Sequence, residues 1–344
     1  MSNLPDLDAA TMSVVRDLID KTMFDLPPGV GYSVGLISGA VPTEEQMVFG
    51  GELISGNRRR KPSPHTSFPI GQLSKTFTAW RMASGVCEGS FHLSDKLEQW
   101  LPQPHHAIDQ NLRNIALGSL ADFTSGLPDD TSSYATMVSK KSWPERFSVS
   151  GRKVAPNRGY AYSNLGYQIL GDILLRDERI PYGWLNNPEL ELEGVGVFSP
   201  DKPVLDMFDA HGHQLKSWHF PSEIPVAGLT ANTFAMMSWI KLNLGLTQST
   251  KYREVLALVQ KPTVKISTNC QGAMAWRNRR LVTANGVLSV IEKDNALPGV
   301  SGYLGMVKET QTGVFLIMNQ GGRSLVNCGR SILEVLNQRQ NLDA

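Results

Sequence analysis

The chain has 344 residues, of which 41% are hydrophobic and 19% are charged, and its formal net charge is +1 at pH 7. That composition is typical of a soluble globular protein, and the charge gives no electrostatic basis for binding nucleic acid or an anionic membrane surface. The three cysteines, Cys87, Cys270 and Cys328, are an odd set without C-x-x-C spacing, which favours free thiols in a reducing compartment.

The first ten residues carry acids and a proline but no basic region followed by an apolar run. We therefore expect no secretory signal of the usual kind. No stretch approaches the roughly 18 consecutive apolar residues of a membrane helix, so we expect no membrane span. Together these features predict a cytoplasmic protein.

Apolar spacing predicts a first helix over residues 8–24 with Asp8 as its N-cap, followed by two strands at Gly31–Ser38 and Gln46–Ile54. The basic run at residues 57–64 predicts a solvated loop. Helical spacing then dominates, in the segments Gln72–Val86, Leu93–Leu101, Tyr162–Leu175, Thr230–Gly245 and Tyr252–Gln260, while Leu112–Leu120 leads into a turn at residues 124–129. Proline, glycine and asparagine between Leu175 and Ser222 predict irregular connections.

The carboxyl-terminal part of the chain returns to strand-like patterns before a final helix at Arg323–Gln338. The predicted strands are Gly272–Trp276, Arg280–Thr283, Val287–Glu292, Tyr303–Lys308 and Gly313–Gln320. Strands at both ends with helices between them predict an α+β fold, in which one sheet is built from both termini. We expect a single domain over residues 1–344, with an α/β part at about 1–75 and 265–344, a helical part at about 76–264, and the site at their seam.

Residues 71–77 read Gly-Gln-Leu-Ser-Lys-Thr-Phe, which places Lys75 three positions after Gln72. This run resembles the S-x-x-K motif of the serine β-lactamase and penicillin-binding-protein family, which reads G-S-x-S-K-T-F-T in the AmpC-like branch. Glutamine therefore stands where the resemblance calls for the nucleophilic serine. A primary amide is not a nucleophile, because its nitrogen lone pair is delocalised into the carbonyl group.

Three further landmarks of that family follow in order. Phe123-Thr-Ser-Gly-Leu-Pro128 is similar to the H-T-S-G-L-P loop, Tyr162-Ser163-Asn164 matches the Y-x-N motif, and Ala227–Asn232 resembles the A-G-G-L-x-S-T segment. The resemblance runs from about Gly31 to Gly321. It implies a β-lactamase/transpeptidase-like fold, with an antiparallel sheet from both termini flanked by helices and a mostly helical inserted subdomain.

The family's third motif, K-T-G or H-x-G, lies on the strand that walls the site, and alignment assigns it to Leu297-Pro298-Gly299. On this alignment the glycine is present and the cation is absent. We expect Gly299, Val300, Ser301 and Tyr303 to line the substrate site. The resemblance also implies that the backbone N–H groups of Gln72 and Val300 form an oxyanion hole.

The resemblance places Lys75 beside Tyr162 and Asn164, with Gln72 on the same helix face as the lysine. A buried lysine has a lowered pKa and a cation lowers the pKa of a nearby phenol, so the pair can transfer protons near neutral pH. Gln72 would orient a substrate carbonyl or a water, or would simply fill the pocket. The alternative for Lys75, Tyr162 and Asn164 is a purely structural hydrogen-bonded network.

Other nucleophiles and ligands are less favoured by the pattern. Ser74 lies off the face of Gln72, and Ser163 and Ser301 are the remaining serines near the implied site. His211, His213 and His219 lack the spacing of a metal motif, so we expect no metal and no cofactor.

Three hypotheses of function follow. The first is a non-acylating enzyme that uses Lys75 and Tyr162 for a non-covalent acid/base reaction, such as cyclisation, isomerisation, elimination or condensation, on a small-molecule substrate that is free or bound to a carrier protein. The second is a pseudoenzyme that binds or regulates without turnover. The third is an esterase or amidase that uses water or a displaced serine.

Overall fold

A computed structural model describes residues 7–39, 44–55, 58–101, 110–129, 159–176, 190, 192–198, 205–215, 224–246, 252–284 and 286–340. Its helices are α1 Ala9–Thr22, α2 Ser74–Cys87, α3 Gln110–Arg113, α4 Leu117–Ala121, α5 Asn164–Arg176, α6 Ile224–Ala227, α7 Thr233–Leu244, α8 Arg253–Val259 and α9 Val326–Gln340. Short 3₁₀ helices cover Gly71–Leu73 and Leu97–Trp100.

The strands are β1 Gly31–Ser38, β2 Glu44–Gly51, β3 Leu53–Ser55, β4 Arg58–Arg60, β5 Phe68–Pro69, β6 Val195–Val197, β7 Leu229–Ala231, β8 Val264–Ser267, β9 Cys270–Gly272, β10 Arg277–Thr283, β11 Gly286–Leu297, β12 Val300–Val307 and β13 Thr312–Met318. The main sheet has the order β2-β1-β13-β12-β11-β10-β9-β8. Every pairing in it is antiparallel, and β1 joins the carboxyl-terminal strands through β13. The predicted α+β sheet built from both termini is thereby confirmed.

The sheet separates two apolar layers because successive side chains of a strand point to opposite faces. On one face Val34, Leu36 and Leu316 pack with α1 and α9. On the other face Ile37 and Ile317 belong to the core that includes α2 and α7. Gly35 lies on this second face, where a Cβ atom would come within 2.7 Å of Met237, so its missing side chain lets α7 lie close to β1.

The structure differs from the predicted elements at several places. The predicted helix Leu93–Leu101 contains only the 3₁₀ helix Leu97–Trp100, and the predicted helix Thr230–Gly245 begins at Thr233, after strand β7. The predicted helix at Gln72 begins as the 3₁₀ turn Gly71–Leu73 and becomes α-helical at Ser74. The basic run is partly a strand, because β4 pairs with β3. The predicted strand Gly272–Trp276 is wrong beyond Gly272, because the Ala273 N–H donates to the Trp276 carbonyl and closes a turn.

Most of the segment between Leu175 and Ser222 lies outside the described residues. Among the helices that are described, none combines the length and the apolar composition needed to cross a bilayer.

Candidate active site

Helix α2 packs against α5, α6 and α8, and two of its side chains contact Trp239 of α7, which fixes the direction of its side chains. The rings of Phe77 and Trp239 stack with centroids 4.1 Å apart. The indole N–H of Trp239 also donates to Thr76 Oγ1 over 3.0 Å. Because buried rings and buried hydrogen bonds allow few alternative packings, Lys75 next to these anchors has a defined position.

Lys75 is fully buried in a pocket of carbonyl oxygen and aromatic rings. Its Nζ donates to the Val226 carbonyl of α6 over 3.2 Å. The same atom lies 5.3 Å from the centroid of the Tyr162 ring and 5.8 Å from that of Tyr167. Ring faces attract cations, and the attraction is strongest where water is excluded. The structure thus brings Lys75 and Tyr162 together at the seam between the sheet and the helical layer.

Phe123 packs against the ring of Tyr162. Its ring stacks on Tyr162 with centroids 4.7 Å apart. The Phe123 backbone has φ +63°, a conformation that is unfavourable for a bulky side chain. The Ala161 N–H donates to the Phe123 carbonyl over 2.8 Å and ties this residue to the segment that carries Tyr162. The strained loop therefore serves to place an aromatic surface against the tyrosine.

Lys293 on β11 is a second buried lysine of the same site, which the motifs of the sequence do not predict. Its Nζ lies 4.9 Å from the centroid of the Tyr162 ring. Burial lowers the pKa of Lys293 to about 8, against the attraction of Asp294, which favours the charged form. The signal in the sequence was the charged run Glu292-Lys293-Asp294 inside an otherwise apolar strand.

Lys293 also corrects the assignment of the third motif. The register of β11 against β12 is unbroken from Val290 to Leu297, so Lys293 and Leu297 point to the same face of the sheet. The cation that the alignment leaves absent at Leu297 is present earlier on the same strand, at Lys293. The absence of a cation at Leu297 therefore does not argue for a pseudoenzyme, because Lys293 supplies a cation on the same face of the strand.

Asn164 begins helix α5 beside an acid that was also missed. Its Nδ2 donates to Asp129 Oδ1 over 3.0 Å. No described residue donates a hydrogen bond to the buried Oδ1 of Asn164. Asp129 favours the charged form of Lys293 electrostatically. Asp129 therefore adds a second carboxylate, besides Asp294, that acts on Lys293.

Gln72 is half-buried at the start of the segment that leads into α2. Its backbone N–H donates to Asn295 Oδ1 of β11 over 2.9 Å. Asn295 Nδ2 in turn donates to the Val300 carbonyl over 3.1 Å. The N–H group expected to form an oxyanion hole is thus already bonded to a side chain of the protein itself.

The other expected substrate-binding residues lie elsewhere. Ser301 and Tyr303 alternate with Val300 and Leu304 on β12 and face the layer of α1 and α9. The Tyr303 hydroxyl donates to Glu292 Oε2 over 3.0 Å. The expectation that Ser301 and Tyr303 line the site is corrected, because both side chains are on the opposite face of the sheet from Lys75.

Gly299 forms a two-residue turn with Pro298 between β11 and β12. Its φ of +86° is a value that favours glycine, as at the third position of a Pro-Gly type II turn. A Cβ atom there would come within 2.9 Å of Met207 and 3.0 Å of Leu215. The side chains of Met207 and Leu215 therefore occupy the space beside the Gly299 Cα atom. This corrects the expectation that a substrate approaches Gly299 there.

Both serines next to the motif residues have structural partners. The Ser74 hydroxyl accepts the Leu229 N–H over 3.1 Å. The Ser163 hydroxyl donates to the Pro128 carbonyl and accepts the Gly166 N–H, each over 2.9 Å. Neither hydroxyl is directed by these bonds toward Lys75, as an activated nucleophile would require.

His211 and His213 belong to an exposed loop, where both backbone N–H groups donate to Asp209. His219 lies outside the described residues. In the part of the chain that the structure describes, no three His, Cys, Asp or Glu side chains are arranged to hold a metal ion.

Comparison with known proteins agrees with this architecture. Residues 40–176 match the family described as Beta-lactamase. The chain is 30% identical over 138 residues to the D-alanyl-D-alanine-carboxypeptidase/endopeptidase AmpH of Escherichia coli K12, a match over 38% of this chain and 36% of AmpH. It is 28% identical over 208 residues to Protein flp of Staphylococcus aureus, over 55% of this chain and 41% of that protein.

Solved structures extend the likeness to nearly the whole chain. A class C beta-lactamase superposes with a TM-score of 0.79 at 16% identity, covering 95% of this chain and 98% of the other. A beta-lactamase/D-alanine carboxypeptidase from Pseudomonas syringae superposes with a TM-score of 0.75 at 17% identity, covering 96% and 99%. The protein thus has the β-lactamase/transpeptidase fold in the form seen in class C beta-lactamases, and its residues 40–176 match the beta-lactamase family.

Proposed function

We propose that this protein is a β-lactamase-fold enzyme that has lost acyl transfer and catalyses a non-covalent acid/base reaction on a small molecule. The observation that carries the proposal is the convergence of two buried lysines on one tyrosine. The Nζ atoms of Lys75 and Lys293 lie 5.3 Å and 4.9 Å from the centroid of the Tyr162 ring. The two ammonium groups and the Tyr162 hydroxyl would donate and accept the protons that the reaction transfers.

The cost of burying lysine supports a functional role over a structural one. An ammonium group loses strong hydration when it is buried, and such groups are retained where they are paired or used. Burial lowers the pKa of Lys293 to about 8. A group with a pKa near the working pH is available in both protonation states and is therefore suited to general acid or base catalysis.

The missing nucleophile supports a reaction without an acyl intermediate. Position 72 is glutamine, and the hydroxyls of Ser74 and Ser163 are bonded to backbone groups. Ser301 faces the opposite side of the sheet. The esterase or amidase hypothesis thereby loses its three candidate serines and retains only its form in which water is the nucleophile.

The charge of the site favours an anionic substrate. Among the described residues, Lys75 and Lys293 lie against Tyr162, and the carboxylates of Asp129 and Asp294 act on Lys293. Asp294 is already paired with Arg277, so these groups together carry a net positive charge. A carboxylate or an enolate would therefore be stabilised there. Proton transfer next to a carbonyl group underlies the isomerisation, elimination, cyclisation and condensation reactions that we infer as the class.

Hydrogen–deuterium exchange into a set of small molecules tests this proposal before the substrate is identified. A panel of small keto and hydroxy carboxylates is incubated with the protein in D₂O, and loss of the C–H signal next to the carbonyl is followed by NMR. We expect accelerated exchange for at least one compound, and a fall of about 10²–10⁴-fold in Tyr162→Phe and Lys75→Met. Ser301→Ala is the matched control, because that side chain lies on the other face of the sheet.

A binding protein without turnover is the second candidate, favoured by the bond between the Gln72 N–H and Asn295. It predicts that panel members bind, as seen by ligand-detected NMR, but do not exchange. Binding that survives Tyr162→Phe unchanged, with no exchange in any protein, would replace the enzyme proposal with this one.

A further inference from the structure

The side chain of Asn295 occupies the space next to the backbone N–H of residue 72. Its Oδ1 accepts that N–H over 2.9 Å and its Nδ2 donates to the Val300 carbonyl over 3.1 Å. Asn295 is buried, with only 3% of its surface exposed. Both ends of the carboxamide are therefore bonded, which makes its orientation unique and costly to change.

The backbone before Gln72 is shaped around this carboxamide. Gly71 has φ +54°, and a Cβ atom there would come within 2.4 Å of Asn295 Oδ1. Glycine avoids both the strain of this φ and the collision. The 3₁₀ turn and the asparagine are therefore mutually fitted.

A carboxamide oxygen on a backbone N–H takes the place that a substrate carbonyl oxygen would need. Acyl transfer places negative charge on that oxygen in its transition state, and preorganised N–H donors stabilise it. The donor that belongs to the nucleophile's own residue is the one nearest to the reacting carbon. In this protein that donor is the Gln72 N–H, which cannot bind a substrate oxygen while it is hydrogen-bonded to Asn295.

We propose that Asn295 seals this N–H site, so that acyl transfer is closed at two independent positions, by the glutamine at 72 and by the asparagine at 295. Asn295 is thereby a specificity-determining residue, which directs substrate carbonyl groups away from the start of α2. This inference rests on the proposed non-covalent function, since it explains why a substrate carbonyl would not be attacked there.

The test measures phosphonylation by a fluorophosphonate probe in a set of four proteins. In this reaction a serine oxygen attacks phosphorus, the P–F bond breaks, fluoride leaves and the serine proton passes to Lys75 or water. The proteins are the unaltered chain, Gln72→Ser, Gln72→Ser/Asn295→Gly and the control Gln72→Ser/Ser301→Ala. Intact-protein mass spectrometry gives the initial rate of adduct formation.

We expect no adduct in the unaltered chain and slow labelling of Gln72→Ser. Labelling of Gln72→Ser/Asn295→Gly should be about 10²-fold faster, the usual effect of one oxyanion-hole donor. The control should match Gln72→Ser. Equal labelling rates with and without the Asn295 side chain would show that Asn295 does not block the N–H site. That result would not contradict the proposed non-covalent function. An adduct in the unaltered chain would instead overturn the proposed function, while the comparison at Asn295 stays readable.

A second measurement covers the case in which glycine weakens the strand. Asn295→Ala keeps a Cβ atom for the strand and removes only the carboxamide. Amide hydrogen exchange, followed by mass spectrometry of a peptide that contains Gln72, should be faster in Asn295→Ala than in the unaltered chain. Unchanged protection of that amide would contradict the seal, whatever the labelling rates.

Discussion

Lys293 Nζ lies 4.9 Å from the centroid of the Tyr162 ring, although the two residues come from opposite sides of the seam between sheet and helices. Lys75 Nζ lies 5.3 Å from the same centroid. The ammonium groups of a helix lysine and a strand lysine therefore lie against the same phenol ring. Any change to Tyr162 should affect both, which makes it the most informative position in the site.

Tyr162→Phe should lower turnover of the true substrate by about 10²–10⁴-fold, because it removes a proton-transfer group and keeps the ring that stacks on Phe123. Steady-state kinetics should show the loss in kcat more than in KM. Circular dichroism should show an unchanged fold. A variant with near-wild-type kcat would show that the hydroxyl takes no part in the reaction.

Lys293→Met should change how stability depends on pH. The pKa of Lys293 falls from 10.5 to about 8 on folding, so between these pH values the unfolded chain binds more protons than the folded one. Below about pH 8 Lys293 is charged in both states, and burying the charge lowers the stability of the fold by its full amount. As the pH rises from about 8 to 10.5 this cost is removed, so the free energy of unfolding rises by up to about 3 kcal/mol.

Urea unfolding of Lys293→Met and of the unaltered protein at pH 7.5 and pH 9.5 measures this effect. The free energy of unfolding of the variant minus that of the unaltered protein should decrease as the pH rises. Other titrating groups contribute equally to both proteins and cancel in the difference. A difference that is independent of pH would mean that Lys293 does not titrate in this window.

Penicillins and a chromogenic cephalosporin should leave the intact mass of the unaltered protein unchanged. The physical reason is that residue 72 has no nucleophilic atom, while Ser74 and Ser163 are held by backbone groups. Mass spectrometry after prolonged incubation checks this outcome. A drug adduct mapped to either serine would revive the hydrolase hypothesis.

Gly71→Ala should destabilise the protein by about 1–3 kcal/mol, because its φ of +54° is strained for alanine and its Cβ atom would collide with Asn295. Asn295→Gly removes the collision but not the strain at φ. The double variant should therefore be more stable than the sum of the single changes predicts. Additive effects in thermal unfolding would show that the two residues do not contact each other.

Tyr303→Phe should reduce stability without affecting the site. Its hydroxyl donates to the buried Glu292, and losing a hydrogen bond to a charged group costs about 1.5–3 kcal/mol. Glu292 keeps Arg279 and Arg330 as partners. Chemical unfolding should show the loss, while proton exchange on the substrate panel should be unaltered. A large loss of exchange activity would show that Tyr303 contributes to the site after all.

Much of the architecture could be predicted from local pattern. The predicted helix Thr230–Gly245 corresponds to α7, and the predicted strand Gly31–Ser38 coincides with β1. In β1 the apolar residues Tyr32, Val34 and Leu36 alternate along the strand. Helix α7 is apolar on nearly all sides, and its length and its caps, Asn232 and Gly245, mark it instead. The short strands β5 and β7 were not predicted, because two or three residues carry no period. They form only because distant segments pair, as Phe68 does with Ala231.

The sequence by itself determined that residue 72 carries no nucleophile, since the chemistry of an amide does not depend on the fold. It also determined the order of the motifs and the spacing of Lys75 after Gln72. Only the tertiary structure decided which residues of β11 lie against Gln72 and Lys75. Lys293, Asn295 and Leu297 all lie on one face of that strand, so its period of two cannot distinguish them. The hydrogen bond from the Gln72 N–H to Asn295 distinguishes these three residues, because it fixes where along β11 the 3₁₀ turn lies.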